Sequence, residues 1–536
     1  MYDILIKNAR IADGTGNPMY HADVAVKDGI IARIGKGLGE AAHVIDGTGK
    51  VLSPGFIDVH SHHDMGLERN FGCTNSLEQG ITTIVGGMCG ESPAPISRDH
   101  LEDCLRVCGR EHSGESREAR MDMGDYLRFV DRPTGANMAY LVGHGNLRAS
   151  VVGYADRKLT PGELAAVEAL LRRCLKAGAR GLSFGLIYPP GSYADTDELT
   201  ALARVTAEMG GVVTVHMRSE NTRLIEATDE MLRVARASGV RMVISHHKAT
   251  GGPMNWNKTA ATLSLMDHAV EEGCDIFCDQ YPYTASATGL STNIPQSMHV
   301  LGVDKLVEML STKEGREELR PKICGTKTPR ERFRYTMIGN SESHPEYAGR
   351  MLNDIADELG VDPYELQCDL LRDDRLSTGG IFHTMSEEDV VRVMRWPRAM
   401  FGTDGLYVPG APGGHPRAFG TFPRVLGRYV REQKVITLEN AVRKMCSLPA
   451  MVYNLPTKGL IREGMDADLV LFDPMTVGDR ADYAHPREKN RGLEYVLVGG
   501  KIAVRDNVCT GVLAGRQLAA RADCCLPTLT ARPWRG

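Results

Sequence analysis

The sequence predicts an α/β protein built on a closed, TIM-like (β/α)8 barrel, with a small β-sandwich made from both ends of the chain. Short alternating apolar runs broken by Gly or Asp-Gly occur at residues 4–11 and 22–35, and the same style returns at 467–473 and 494–501. Between these ends, apolar runs of four to six residues alternate with helical segments, which is the pattern of repeated βα units. A chain of 536 residues is long enough for such a barrel with an appended module.

These patterns also predict the domain boundaries. We expect residues 1–54 and 460–536 to form the small β-sandwich domain, and residues 55–459 to form the barrel. From about residue 286 to residue 353 the βα rhythm is lost and charged segments appear. This stretch predicts an inserted subdomain that closes over the site as a lid, the alternative being a long surface excursion with no catalytic part.

Composition narrows the partners and the compartment. A net charge of −5 and the absence of a basic field argue against nucleic acid as a partner. No apolar run approaches the ~20 residues that span a bilayer, and the N-terminus lacks the build of a signal peptide, so no membrane is expected. The 13 cysteines are odd in number and scattered, which favours a reduced compartment and predicts a cytoplasmic protein. The oligomeric state stays open.

The first two barrel strands end in side chains that bind metals. In (β/α)8 barrels the chemistry gathers at the C-terminal ends of the strands. The first apolar run, residues 55–59, is followed by His60 and His62, which are two positions apart and therefore lie on the same side of an extended strand. The second run, residues 82–85, leads into a glycine-rich turn that exposes Cys89.

Three later strands end in comparable residues. The fifth and sixth apolar runs end at His216 and His246, and the last run ends at Asp404. Each residue alone has an ordinary structural explanation, because a strand-end histidine often caps a loop and an Asp before Gly often forms a turn. Imidazole and thiolate are the ligands that zinc prefers, so the ordered set predicts a metal site. The candidates are His60, His62, Cys89, His216, His246 and Asp404.

With these residues in place, the sequence resembles the amidohydrolase superfamily, and more closely its D-aminoacylase (N-acyl-D-amino-acid deacylase) family. The resemblance covers nearly the whole chain and implies a metal-dependent hydrolase barrel. Seven short segments carry it in addition to the strand-end residues. They are residues 54–58, 89–95, 178–183, 245–248, 281–283, 415–417 and 464–470.

The resemblance implies a metal arrangement. It assigns one tight zinc site to Cys89, His216 and His246, and a second, weaker position to the His60 and His62 pair, which shares the cysteine. Many binuclear members of the superfamily bridge their metals with a lysine on the fourth strand, and the run here, GLSFG, contains none. Cys89 is therefore the expected bridge. Three protein ligands leave room for a water molecule on zinc.

The resemblance also implies the reaction, which is zinc-dependent hydrolysis of an N-acyl-D-amino acid to a carboxylate and a free D-amino acid. Zinc lowers the pKa of its bound water and polarises the amide carbonyl. Asp404 would act as general base towards the water and as general acid towards the leaving amine. An amine is too poor a leaving group to depart unprotonated, so a proton shuttle beside the metal is required.

Substrate recognition is predicted from the rim of the barrel. Lys248, two residues beyond His246, is placed to meet a carboxylate, with Tyr281 and Ser286 as hydrogen-bonding helpers; a solvated charge is the alternative for Lys248. Tyr188 and Trp256 are candidates for the wall of the side-chain pocket, although either fits plain packing equally well.

The side-chain preference follows from an absent cation. Members of the family that prefer acidic D-amino acids carry an arginine soon after the Tyr-Pro-Tyr segment. Residues 289–297 contain no cation here, which favours a neutral or hydrophobic side chain.

Two other functions remain open on the sequence. The same metal chemistry could open a cyclic amide, as in hydantoin or dihydropyrimidine hydrolysis, although the missing bridging lysine argues against it. A catalytically idle barrel that binds metal and ligands is the second alternative, and retention of every metal ligand and of Asp404 argues against that.

Overall fold

A computed structural model describes residues 1–108, 122–407, 410 and 413–520 of the chain. Residues 521–536 of the predicted β-sandwich domain lie outside the described residues. The strands are β1 (Tyr2–Ile11), β2 (Tyr20–Lys27), β3 (Ile30–Gly35), β4 (Ala41–Asp46), β5 (Val51–Pro54), β6 (Phe56–Asp58), β7 (Ile81–Gly86), β8 (Asn137–Tyr140), β9 (Val142–Gly143), β10 (Gly181–Gly185), β11 (Val212–His216), β12 (Arg241–Ile244), β13 (Ile276–Gln280), β14 (Ser286–Gly289), β15 (Thr336–Asn340), β16 (Gly379–Phe382), β17 (Ala399–Phe401), β18 (Leu469–Phe472), β19 (Leu493–Val498), β20 (Lys501–Arg505) and β21 (Val508–Cys509). The α-helices are α1 (Thr74–Leu77), α2 (Leu101–Val107), α3 (Met123–Val130), α4 (His144–Val152), α5 (Pro161–Ala177), α6 (Thr196–Glu208), α7 (Leu224–Ser238), α8 (Lys258–Glu271), α9 (Val303–Ser311), α10 (Lys313–Cys324), α11 (Pro329–Arg332), α12 (Leu352–Leu359), α13 (Pro363–Asp373), α14 (Glu387–Arg395), α15 (Arg417–Arg424), α16 (Leu438–Met445) and α17 (Ser447–Val452).

Parallel strands form the predicted barrel, which confirms the fold class. Strands β6, β7 and β8 pair in order, and β9, β10, β11, β12, β13 and β17 pair in order. The third barrel strand is interrupted at Leu141, whose N–H donates to the carbonyl of Gly86 at 2.9 Å, so β8 and β9 are its two halves. Between β17 and β6 the barrel closes through a parallel bridge of Ser61 with Gly405. Buried apolar side chains fill the interior, including Ile57, Val85, Leu141, Val212, Val243, Phe277 and Met400.

The helices between the strands cover the barrel with amphipathic faces, and α5 illustrates why they form. Thr160 precedes α5 and its hydroxyl accepts from the backbone N–H of Glu163, whose carboxylate accepts from the N–H of Thr160 in return. Proline at the first position suits the helix start, and Gly178 with φ 121° ends the helix. Its buried residues are Val167, Leu171, Cys174 and Leu175. Their spacing of three to four residues packs one stripe against the strands.

Both ends of the chain build a single β-module. Nine strands share one sheet, in the order β21-β20-β19-β18-β5-β1-β2-β3, with β4 parallel to β1. Strand β5 joins the two ends, because it pairs with β1 on one side and with β18 on the other. Ile6 and Val24 from the first end pack in one core with Leu469 and Leu497 from the second. We propose that this module ends near residue 54 on the N-terminal side and begins again near residue 460, as the sequence predicts.

After β21 the chain returns to the barrel. Gly515 pairs with Thr134, and the N–H of Leu518 donates to the carbonyl of Met138 at 2.7 Å. This returning segment therefore borders β8.

A long excursion separates β13 from β17. Its small antiparallel sheet has the order β14-β16-β15, and helices α9 to α13 accompany it. Its own hydrophobic core runs from Leu290 to Leu371 and includes Phe333 and Leu352. Because the core and β16 extend past residue 353, we propose residues 286–382 as the extent of the inserted subdomain. Among the described residues we find no helix with the length and apolar character that crossing a bilayer requires.

Candidate metal centre

Three residues that follow barrel strands hold unusual backbone conformations. Cys89, His246 and Asp404 have φ values of 54°, 35° and 47°, in the left-handed region that side chains other than Gly rarely adopt. They lie within three residues of the ends of β7, β12 and β17. Backbone strain of this kind persists where the surrounding structure fixes it, and it concentrates at functional sites.

The first group of possible ligands comprises Cys89, His216 and His246, whose donor atoms all lie within 4.8 Å of one another. The Sγ of Cys89 is 3.5 Å from Nε2 of His246. The same Nε2 is 2.9 Å from Nδ1 of His216. All three side chains are buried.

The second group shares the cysteine with the first. His60, His62, Cys89 and Asp404 bring their donor atoms within 4.8 Å of one another. Nε2 of His60 is 3.3 Å from Sγ of Cys89. Oδ1 of Asp404 is 3.3 Å from Nε2 of His62 and 3.6 Å from Nε2 of His60. The structure therefore brings all six strand-end candidates together, with Cys89 between the groups.

The donor set fits a soft or borderline cation such as zinc. Burial raises the pKa of the Cys89 thiol to about 12 and lowers that of His216 well below its usual value. Burial favours the neutral Cys89 thiol and the neutral His216 imidazole, whereas the hydrogen bond to Asp404 outweighs burial and raises the pKa of His62 to about 10. The His216 atom that faces His246 is Nδ1, 2.9 Å from Nε2 of His246, whereas Nε2 of His216 lies 3.8 Å from Oε2 of Glu220. Thiolate and imidazole converging in this way are suited to metal coordination.

Asp404 is held ionised by its neighbours. Burial by itself would raise its pKa, but Arg417 and His62 outweigh burial and hold the pKa well below its usual range. Nη1 of Arg417 is 2.8 Å from Oδ2 of Asp404, and both side chains are more than nine-tenths buried. Arg417 is a functional candidate that the strand-end rule missed, because it lies 13 positions after Asp404.

Two further carboxylates orient the histidines and the strand ends. Oδ2 of Asp279 lies 3.3 Å from Nδ1 of His60, and Oδ1 of Asp279 accepts from the backbone N–H of His246 at 2.8 Å. Asp58 accepts from the backbone N–H of Thr403 at 2.9 Å and from its hydroxyl at 2.6 Å. Such partners fix the ring orientation of metal-binding histidines. Their sequence signal is an acidic residue within a buried strand.

Lys248 is buried rather than solvated. Its Nζ donates to Oε1 of Glu220 at 2.6 Å and to the carbonyl of His246 at 2.9 Å. It also lies 5.6 Å from the ring centroid of Tyr281, and Cζ of Arg417 lies 4.6 Å from the same centroid. The hydroxyl of Tyr281 points at the sulfur of Met385, so its ring rather than its hydroxyl contacts these cations.

The remaining predicted residues lie around this rim. Ser286 is the first residue of β14. The carbonyl of the next residue, Ala287, accepts a hydrogen bond from Arg417 at 3.1 Å. Tyr188 packs edge-on against His216, with ring centroids 5.1 Å apart, and its hydroxyl is 3.2 Å from that of Thr288.

Trp256 takes a different position. Its indole N–H donates to the carbonyl of Thr384, and the residue is 37% exposed.

Comparison with known proteins agrees with this geometry. The amidohydrolase family model matches residues 43–313 and 351–504. D-aminoacylase of Alcaligenes xylosoxydans xylosoxydans is 36% identical over 97% of this chain and 98% of its own length. A crystal structure of N-acyl-D-glutamate deacylase from Bordetella bronchiseptica contains zinc and a phosphonate mimic of the tetrahedral intermediate. That protein is 36% identical to this chain, and the match covers 97% of this chain and 100% of the deacylase chain, with a TM-score of 0.82. A D-aminoacylase with a binuclear metal centre is 34% identical with the same coverage, and its TM-score is 0.81.

The barrel and the imidazole, thiolate and carboxylate cluster at its rim define a metal-dependent hydrolase of the amidohydrolase superfamily. Within that superfamily this chain belongs to the D-aminoacylase family, as the sequence predicted. The protein is thus an enzyme of the amidohydrolase class.

Proposed function

We propose that this protein hydrolyses the amide bond of N-acyl-D-amino acids, releasing a carboxylate and a free D-amino acid. The observation that carries the proposal is the pair of buried cations, Lys248 and Arg417, that contact the ring of Tyr281 beside the cluster of metal-binding residues. A site for an amide beside a site for a carboxylate is what an N-acyl amino acid requires.

Cys89, His216 and His246 are the proposed ligands of a tight zinc ion, and His60 and His62 of a weaker second position that shares Cys89. When bound, zinc supplies an activated water and polarises the amide carbonyl. The thiolate and the nearby carboxylates balance the charge of the cation, and their burial strengthens these interactions.

Asp404 is the proposed general base and acid. Its Oδ1 faces His60 and His62, and its low pKa keeps it in the ionised form that a general base requires. The proton that Asp404 takes from water is then available for the nitrogen of the leaving amine.

Lys248 and Arg417 are the proposed partners of the substrate carboxylate. Arg417 presents a planar fork that suits bidentate binding, and Lys248 adds a point charge. Tyr188, Tyr281 and Ser286 would border the bound substrate, since they lie around the same rim.

A neutral or hydrophobic substrate side chain is proposed, because residues 289–297 carry no cation. Overall similarity does not decide this point, since the D-aminoacylase and the D-glutamate deacylase are both 36% identical to this chain.

The test is amine release by zinc-loaded protein from matched N-acetyl-D- and N-acetyl-L-amino acids with methionine, leucine, phenylalanine and glutamate side chains. We expect release from the D forms with neutral side chains. A preference for glutamate would show that the side-chain proposal is wrong. Silence on every pair, with zinc bound, would contradict the deacylase and direct the search to cyclic amides.

The carboxylate site has its own control. Lys248→Met should raise KM for an N-acetyl-D-amino acid, while the rate with the matching N-acetylamine, which lacks the carboxylate, should change little. An equal loss of activity on both substrates would show that Lys248 does not bind the substrate carboxylate.

A further inference from the structure

Glu220 lies in the loop between β11 and α7, and a single oxygen of its carboxylate contacts two functional side chains. Oε1 is 2.6 Å from Nζ of Lys248 and 2.9 Å from Nδ1 of His246. Its side chain is only 11% exposed, so water does little to weaken these contacts. The arrangement joins a proposed zinc ligand to a proposed substrate-binding cation.

The loop that carries Glu220 is anchored on both sides. The backbone N–H and the hydroxyl of Thr250 both donate to the carbonyl of Glu220, at 2.7 and 3.1 Å. Arg218 forms two hydrogen bonds with the carboxylate of Glu230, and Lys258 donates to the carbonyl of Thr222. The position of Glu220 is therefore fixed by the fold rather than by its two charged contacts.

Nδ1 of His246 has two competing neighbours. Nζ of Lys248 lies 2.8 Å away, almost as near as the Glu220 oxygen. A neutral imidazole carries one proton, so Nδ1 either donates to Glu220 or accepts from the lysine ammonium. In the first case the lone pair lies on Nε2, which faces Cys89 and His216; in the second, Nε2 carries the proton and has no lone pair for a metal.

We propose that Glu220 is a positioning residue that keeps the proton of His246 on Nδ1 and draws the Lys248 ammonium away from this nitrogen. Glu220 thereby keeps the lone pair of Nε2 of His246 available for zinc. Without Glu220, the buried Lys248 ammonium would donate to Nδ1, and the ring proton would lie on Nε2. The inference rests on the proposed role of His246 as a zinc ligand. It explains how a lysine for the substrate carboxylate can sit directly against a metal-binding histidine.

The test measures zinc affinity of the apoprotein, by competition with a chromophoric chelator, in four proteins: wild type, Glu220→Ala, Lys248→Ala and the double variant. Loss of a hydrogen-bond partner of a metal-binding histidine typically weakens metal binding about 10- to 100-fold, and we expect a loss of this size for Glu220→Ala. Lys248→Ala alone should bind zinc as wild type does. The double variant should regain part of the lost affinity, because no ammonium remains to hold the wrong tautomer, while the hydrogen bond from Nδ1 of His246 to Glu220 is still missing.

Two controls guard against a loss of folding. Glu226→Ala removes an exposed carboxylate from the first turn of α7 and should leave zinc affinity unchanged. Far-UV circular dichroism of each variant should match that of the wild type.

The outcomes separate this inference from the proposed function. If the wild type binds no zinc, the proposed metal centre itself fails. If the wild type binds zinc and Glu220→Ala binds it equally well, the proposed function stands and the role of Glu220 is wrong. If Glu220→Ala binds weakly and the double variant does not recover at all, the loss does not depend on the Lys248 ammonium, which also overturns the inference.

Discussion

At the scale of single residues, the proposed proton transfer depends on Asp404, the carboxylate that faces the two histidines after β6 on one side and Arg417 on the other. Asp404→Asn keeps the size of the side chain and removes its basicity. We expect turnover to fall about 10²- to 10⁴-fold, the usual worth of general acid–base catalysis. The tight zinc should remain, because Cys89, His216 and His246 are untouched.

The measurement is kcat together with zinc content of the purified variant. Asp482→Asn, at a carboxylate with a 63% exposed side chain, is the matched control and should behave as wild type. More than a tenth of wild-type turnover in Asp404→Asn, with normal zinc, would remove Asp404 from the mechanism.

How far the sequence predicts the site depends on where each residue lies relative to a strand. The rule that chemistry gathers at strand ends found residues such as Cys89 and Asp404, because each directly closes a strand or its short turn. Glu220 and Arg417 follow their strands by 4 and 16 residues in the chain, and loop paths of this length are set by tertiary packing. Hydrophobic periodicity does not predict which side chains of such loops reach the site.

At the scale of elements, one arginine adds to the backbone hydrogen bonds that hold the segment after β21 against the barrel. Arg180 donates to the carbonyls of Leu518 and Asn454, both at 2.7 Å, and to those of Tyr453 and Ala519 at 3.2 Å. Hydrogen bonds to a charged group contribute more than neutral ones, so we expect Arg180→Ala to lower the free energy of unfolding by about 2–4 kcal/mol. Arg180→Lys should recover only part of this loss, because lysine lacks the planar fork.

Urea unfolding of the purified variants measures the effect. The control is Arg172→Ala, which removes an exposed ion pair with Glu208 and should cost no more than about 1 kcal/mol. If both alanine variants lose the same free energy, the returning segment contributes nothing through Arg180.

The barrel strands were readable from the sequence because each is a short buried apolar run of uniform character. Two details of the strands could not be predicted from the sequence. The third strand reads as one run, residues 139–143, and is interrupted at Leu141 in the structure, where the chain bonds across to the end of β7. Strand β16 (Gly379–Phe382) lies far along the chain from β14, its partner, and only long-range pairing defines it.

At the scale of the whole molecule, the groups that could hold a metal lie at or just after the ends of five strands around the barrel. They are β6 for His60 and His62, β7 for Cys89, β11 for His216, β12 for His246 and β17 for Asp404. A cation bound here would be coordinated by residues that are far apart in the chain. Because these residues converge only in the folded state, binding of the cation stabilises that state.

We therefore expect removal of zinc to lower the thermal unfolding temperature without loss of secondary structure at room temperature. Free zinc at 1,000 times its dissociation constant should add about 4 kcal/mol to the free energy of unfolding. Magnesium should not restore the stability, because it prefers oxygen ligands in octahedral geometry. Cys89→Ala should respond weakly to zinc, since it removes the ligand that both groups share. Thermal melting of chelated and reconstituted protein, with metal analysis of each sample, makes the measurement. An unchanged melting temperature in wild-type protein that has demonstrably lost its zinc would mean that the barrel is held in place by its core alone.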